Sequence, residues 1–179
     1  MIEDTQLLGF NASHSSLFSE EQCNIIINKI KNAKSPVLIV GSAVRQSGCL
    51  SEMYELVSKF NIPVLCPTSV VDTFEKSHPL YYGNFGVFGG RIGNFMIQNS
   101  DLLLSIGARM SFKQTGFNFS SFAPHAEKII VDIDGEELRK NTLKIDMPIQ
   151  ADLVDVVSSL NKYIREKLPV KNEWIGYCN

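Results

Sequence analysis

The chain has 179 residues, 44% apolar and 20% charged, with a formal net charge of −2, which is the profile of an ordinary globular domain. That charge gives no long-range attraction to nucleic acid or to an anionic membrane, and no apolar run approaches the ~20 residues that span a bilayer. The acidic start MIEDTQLLGF lacks the basic and apolar regions of a signal peptide, so a cytoplasmic location is expected.

In chain order, residues 1–18 are polar and Ser-rich and read as a linker. Ser19-Glu20-Glu21-Gln22 fits a capping box and opens a helix that turns Ile26, Ile27 and Ile30 inward. The run Pro36-Val37-Leu38-Ile39-Val40-Gly41 reads as a strand buried on both faces. A helix is predicted over 48–60, with Leu50, Met53, Tyr54, Val57 and Phe60 inward, and a second strand over 62–66. Residues 67–91, rich in glycine and aromatics, read as irregular. A short helix over 91–99 feeds the strand Leu102-Leu103-Leu104-Ser105-Ile106, and a polar loop spans 111–125. Further strands are predicted over 128–134 and 147–150, a helical turn over 135–139, and an amphipathic helix over 152–167 capped by Asp152. Residues 168–179, ending in WIGYCN, read as a tail.

Apolar strands alternating with helices predict a doubly wound α/β domain over 19–167. Its mostly parallel sheet has about five or six strands, with helices on both faces in a Rossmann-like arrangement. In such a sheet ligands bind beyond the carboxyl ends of the strands. Gly41, Gly107 and Arg109 fall there: glycine lets a ligand approach the backbone, and arginine offers a fork of donors for phosphate. Arg109 reads equally well as a salt-bridged residue at a strand end. Asp132 is placed either to accept hydroxyl protons from a ligand or to cap the turn at Gly135. Cys23, Cys49, Cys66 and Cys178 show no CxxC spacing, and His14, His78 and His125 no ligand spacing, so nothing asks for a metal. Cys66 reads as a small buried hydrophobe.

Several short motifs then lie in a familiar order. They are Pro36 to Ala43 with Ser47-Gly48, His78-Pro79-Leu80-Tyr81, Gly83 to Gly89, Asp101 to Arg109, Thr115-Gly116, Asp132-Ile133-Asp134 and Asp152. In this order they resemble the central domain of thiamine-diphosphate-dependent enzymes of the acetolactate synthase type. Glu3-Asp4-Thr5-Gln6 is similar to the segment by which that family's N-terminal domain exits. The resemblance implies a parent that makes or breaks C–C bonds beside the carbonyl of a 2-oxo acid. Thiamine diphosphate and Mg2+ would be held by N- and C-terminal domains of the same chain, in a homo-oligomer. The Gly-Asp-Gly motif of the pyrophosphate-binding domain does not occur here. The chain is therefore expected to be an excised central domain without catalysis of its own, its partners the missing domains, with no nucleic acid or membrane partner.

In flavin-binding relatives the central crevice holds FAD, and in others ADP or nothing. The resemblance would place such contacts on Gly41, Ser42 and Ala43, on Gly86, Val87, Phe88 and Gly89, and on Gly107, Ala108 and Arg109. Asp132, Ile133 and Asp152 complete the set. The usual Gly-Ala-Arg-Phe-Asp-Asp-Arg is here Gly107-Ala108-Arg109-Met110-Ser111-Phe112-Lys113, and Ser42-Ala43 replaces two glycines. Both departures weigh against FAD. Two other readings stand beside this one. The first is a free-standing NAD- or FAD-binding domain, against which Gly41-Ser42-Ala43-Val44-Arg45-Gln46 offers no G-x-G-x-x-G. The second is a scaffold or oligomerisation module, motivated by Phe85, Phe88, Phe112, Phe117, Phe119 and Phe122 as contact surface, although local packing explains these equally.

Overall fold

A computed structural model describes residues 18–178. Nearly all of the linker expected over 1–18, Glu3-Asp4-Thr5-Gln6 included, lies outside the described residues. Six strands form one parallel sheet: β1 (Pro36–Val40), β2 (Val64–Pro67), β3 (Tyr81–Phe85), β4 (Leu102–Ile106), β5 (Glu127–Asp132) and β6 (Met147–Gln150). Their spatial order is β3-β2-β1-β4-β5-β6, and every neighbouring pair is parallel. The chain winds outward from β1 in one direction, then returns to β4 and winds outward in the other. The reversal between β1 and β4 is the topological switch point of a doubly wound sheet.

Strand side chains alternate between two cores, as the two-residue period requires. Leu38, Val40, Leu104, Ile106, Ile129 and Val131 face one core, while Val37, Ile39, Leu103 and Ile130 face the other. The first core is covered by α1 (Glu20–Asn32), α3 (Leu50–Phe60) and α7 (Leu153–Tyr163). The second lies under α4 (Arg91–Asn99), α8 (Asn172–Cys178) and the segment after β4. Ser19 caps α1 with the capping box read from the sequence, and Asp152 caps α7 through the Val154 N–H. Register at the amino edge is pinned by Asp101, whose carboxylate accepts from the N–H groups of Lys34 and Ser35 at 2.6 and 2.9 Å.

Four sequence expectations are corrected. Tyr81–Phe85, expected to be irregular, is an edge strand pairing only with β2; Gly83 at φ +94° and half-buried side chains hide its pattern. A short helix, α2 (Ser42–Gln46), follows β1 directly, and α3 starts at Leu50 because Gly48 adopts φ +76°. Helix α7 stops at Tyr163 rather than 167, where Ile164 turns extended. Finally, the expected tail packs back on the domain. The Leu168 N–H bonds the Lys59 carbonyl, and α8 buries Trp174 in the second core with its indole N–H on the Pro36 carbonyl at 3.2 Å. A seven-residue helix is too short for its period to be read. Trp174→Ala should therefore destabilise the domain by about 3–5 kcal/mol, measured by urea denaturation; a change below about 1 kcal/mol would mean that α8 is not part of the cooperative unit.

Candidate functional site

The sheet brings every residue of the expected site to its carboxyl edge. Gly41, Ser42 and Ala43 follow β1, Gly86 to Gly89 follow β3, and Gly107 to Arg109 follow β4. Asp132 ends β5 with Ile133 after it, and Asp152 opens α7 beyond β6. Gly41, Gly86, Gly107 and Ala108 are buried, whereas Val87, Phe88, Arg109 and Ile133 are exposed.

The glycines meet the chain itself. A Cβ on Gly41 would lie 2.0 Å from the Gly107 carbonyl oxygen, and one on Gly86 would lie 2.4 Å from that of Lys113. A Cβ on Gly89 would meet the Phe85 backbone at 2.3 Å, and one on Gly107 would meet Leu153 Cδ1 at 2.5 Å. Hydrogen bonds run through the same places: Gly41 N–H to the Ile106 carbonyl at 2.9 Å, Ala43 N–H to Gly107 at 3.2 Å, and Val87 N–H to Lys113 at 2.9 Å. In the direction a side chain would take, each of these four positions is filled by protein. The small residues that the sequence offered as room for a ligand are needed for loop-on-loop packing.

The charged residues are likewise engaged with one another. Arg109, exposed, reaches Glu137 at 2.7 Å and Asp134 at 3.9 Å, and Lys140 closes on the other oxygen of Glu137. Glu137 beside it holds the Arg109 guanidinium above its usual pKa. The helical turn α6 (Gly135–Leu138) is capped by Asp134 rather than Asp132: the Asp134 carboxylate takes the Glu136 N–H, while Asp132 accepts from the Asp134 N–H at 3.0 Å. Burial raises the Asp132 pKa, with Glu137 and Asp134 adding to the effect against two backbone N–H groups. The cavity behind, lined by Asp132, Glu137, Lys140, Thr142 and Leu143 among others, measures about 10 Å³, room for one water rather than a nucleotide.

Lys113, which stands where the usual motif ends in arginine, sits on α5 (Phe112–Thr115), and its carbonyl is the group that seals the 86–87 turn. Glu137 and Leu153 are the two important residues that the sequence reading missed; their roles depend on long-range packing that no local motif signals. No group of three or more His, Cys, Asp or Glu able to hold a metal occurs among the described residues. All four cysteines are free and buried, and burial pushes the Cys66 thiol to about 12, so it is inert at neutral pH. No helix among the described residues is long and apolar enough to cross a membrane.

This topology and its ordered edge motifs coincide with a known family. Residues 23–160 match the family described as "Thiamine pyrophosphate enzyme, central domain". The chain belongs to that family. It is 33% identical over 184 residues to the probable acetolactate synthase large subunit of Methanococcus aeolicus, covering 97% of this chain and 30% of that protein. It is 36% identical over 143 residues to the acetolactate synthase isozyme 1 large subunit of Escherichia coli strain K12, covering 80% of this chain and 25% of that protein. Against the probable acetolactate synthase large subunit of Methanocaldococcus jannaschii it is 34% identical over 131 residues, covering 73% and 22%. The central-domain chain thus spans less than a third of the length of these relatives, and it is of the acetolactate synthase type.

Two outcomes follow from the edge geometry. Gly41 has an extended backbone (φ −95°) that alanine could adopt, so the effect of Gly41→Ala is purely steric. With no ligand present, thermal unfolding should show it destabilised by about 2 kcal/mol; a wild-type melting curve would mean that the contact with Gly107 is not tight. For Asp132 the folded pKa lies above the unfolded one, so the folded state binds its proton more readily. The group therefore lowers stability as pH rises from the unfolded value through the folded one. Asp132→Asn keeps the acceptor for Asp134 and removes the charge. It should be at least as stable as the wild type at pH 7, with the difference shrinking toward pH 3 in urea titrations; a variant less stable at pH 7 would contradict this.

Proposed function

We propose that the chain acts as the non-catalytic central domain of a longer thiamine-diphosphate-dependent enzyme, one that makes or cleaves C–C bonds next to the carbonyl of a 2-oxo acid. Its relatives are named acetolactate synthase large subunits, and they are more than three times longer than the part matched. On this reading thiamine diphosphate and Mg2+ are bound by other domains of the parent, and the parent is a homo-oligomer. The chain's own contribution is a rigid α/β body.

We further propose that the carboxyl edge holds no flavin or adenine nucleotide tightly. The observation that carries this is the direct contact of Gly41 with Gly107 at the switch point, where such a ligand would lie. Arg109 supports it, because its guanidinium is already satisfied by Glu137. An exposed pair of this kind is worth only ~0–1 kcal/mol, so phosphate could displace Glu137. If a nucleotide does bind, Ser42, Ala43, Val87, Phe88, Asp132, Ile133 and Asp152 are the edge positions left to touch it.

Isothermal titration of the chain with FAD, FMN, ADP and NAD tests the reading. No heat attributable to binding is expected at micromolar ligand. Micromolar affinity for any of the four would overturn the closed edge while leaving family membership intact.

A further inference from the structure

Positive charge is unevenly spread over this chain. Of its 17 Lys and Arg side chains, seven sit in ion pairs among the described residues. Six of the other ten fall in two stretches: Lys31 and Lys34 around the end of α1, and Lys162, Arg165, Lys167 and Lys171 from the last turn of α7 to the start of α8. These stretches lie against each other, the Lys171 ammonium donating to the Lys31 carbonyl at 2.7 Å. Residues 163–169 with Ile27 and Lys31 line a groove of about 420 Å³. Residues 170–174 with 32–34 line a second of about 410 Å³. Ile27, Ile164 and Leu168 give the first groove an apolar floor continuous with the first core, and the exposed Pro169 and Val170 carry apolar surface on toward the second.

We propose that this double groove docks an acidic, extended peptide segment of another protein. Its carboxylates would meet Lys31, Arg165, Lys167 and Lys171, and its apolar side chains the floor between them. Charge complementarity carries the proposal. The chain as a whole is at −2, yet the two grooves are lined by five cations against only two acids, Glu166 and Glu173. The other acids nearby are engaged: Glu20 accepts from the Tyr163 hydroxyl at 2.9 Å, and Asp101 holds the Lys34 and Ser35 amides. The local field is thus opposite in sign to the net charge, and screening confines its pull to what lies against it. Five cations spread over two grooves, with apolar groups between them, suit a chain better than a compact anion. The backbone N–H groups of Arg165, Glu166 and Lys167 make no hydrogen bond to the described residues, so the carbonyls of an extended peptide have donors to meet. A single-stranded nucleic acid would look for rings on which to stack its bases. The aromatic linings offer none that is open: Trp174 is buried in the second core, and Lys162 stands over the half-buried Tyr163 ring at 5.3 Å. The grooves lie at the amino edge of the sheet, so this inference is independent of whether the carboxyl edge binds a nucleotide.

Fluorescence anisotropy of the intact chain with a short labelled peptide of Glu and Asp interspersed with Leu tests this, with circular dichroism and melting as folding controls. The wild type should bind in the micromolar range at low salt and more weakly as salt is raised. Lys31→Glu and Arg165→Glu, on opposite walls of the first groove, should each weaken binding by about tenfold with an unchanged fold. Lys76→Glu makes the same charge change at an exposed lysine outside both grooves and should leave binding unchanged. A peptide with Ser in place of Leu should bind several-fold more weakly. A wild type that does not bind the acidic peptide would overturn the proposal. An equal loss on Lys76→Glu would also overturn it, by tracing the attraction to net charge alone. Displacement of the peptide by inorganic pyrophosphate or by single-stranded RNA at matching concentration would overturn it as well, and would assign the grooves to a compact anion or to nucleic acid.

Discussion

At the point where the strand order reverses, the backbones of Gly41 and Gly107 lie against each other. Two hydrogen bonds hold them there: Gly41 N–H to Ile106, and Ala43 N–H to Gly107. This contact sets the start of α2 against the end of β4, and Leu153 of α7 then packs on Gly107 from the next layer. The first turn of α2, the loop after β4 and the start of α7 are thereby fixed relative to one another. At the opposite edge, Asp101 performs the matching task by tying the turn before β1 to the start of β4. The central strands are clamped at both ends, so each outer strand adds to a sheet already fixed in register.

The same contact decides how the carboxyl edge reads chemically. A strand-end glycine has two physical uses: it lets a ligand come close, or it lets another stretch of chain come close. At 41, 86, 89 and 107 the neighbouring atoms belong to the protein. Arg109 shows the same inward closure in its charge, since its guanidinium is taken by Glu137 and Asp134. At these positions the edge closes on the protein itself, in keeping with the proposed reading of a non-catalytic central domain.

Much of the fold was legible because continuous apolar runs such as Pro36 to Val40 and Leu102 to Ile106 admit few readings, and because Ser19 and Asp152 announce their helices. The family was legible from the order of short motifs rather than from any single one. Strand β3 escaped because an edge strand is only half buried and carries a glycine at positive φ, so neither an apolar run nor an alternation marks it. That the expected site positions share one edge of the sheet was legible, but their contacts were not. The partners of Gly41, Gly86 and Arg109 come from residues 66, 27 and 28 positions further along the chain, and only the folded structure selects them. The aromatics divided as neither simple reading foresaw: Phe85 and Phe122 are core, Phe119 is half-buried, and Phe88, Phe112 and Phe117 are surface.

Amide hydrogen exchange at Gly41 and Gly107, followed by NMR with and without FAD, is the most direct test of the closed switch point. Both amides are bonded across the central strands, to Ile106 and Val131. The account predicts exchange through global unfolding in the ligand-free chain, at rates that FAD leaves unchanged. Fast exchange at these two amides that slows when FAD is added would contradict it, because the edge would then be open and completed by the nucleotide.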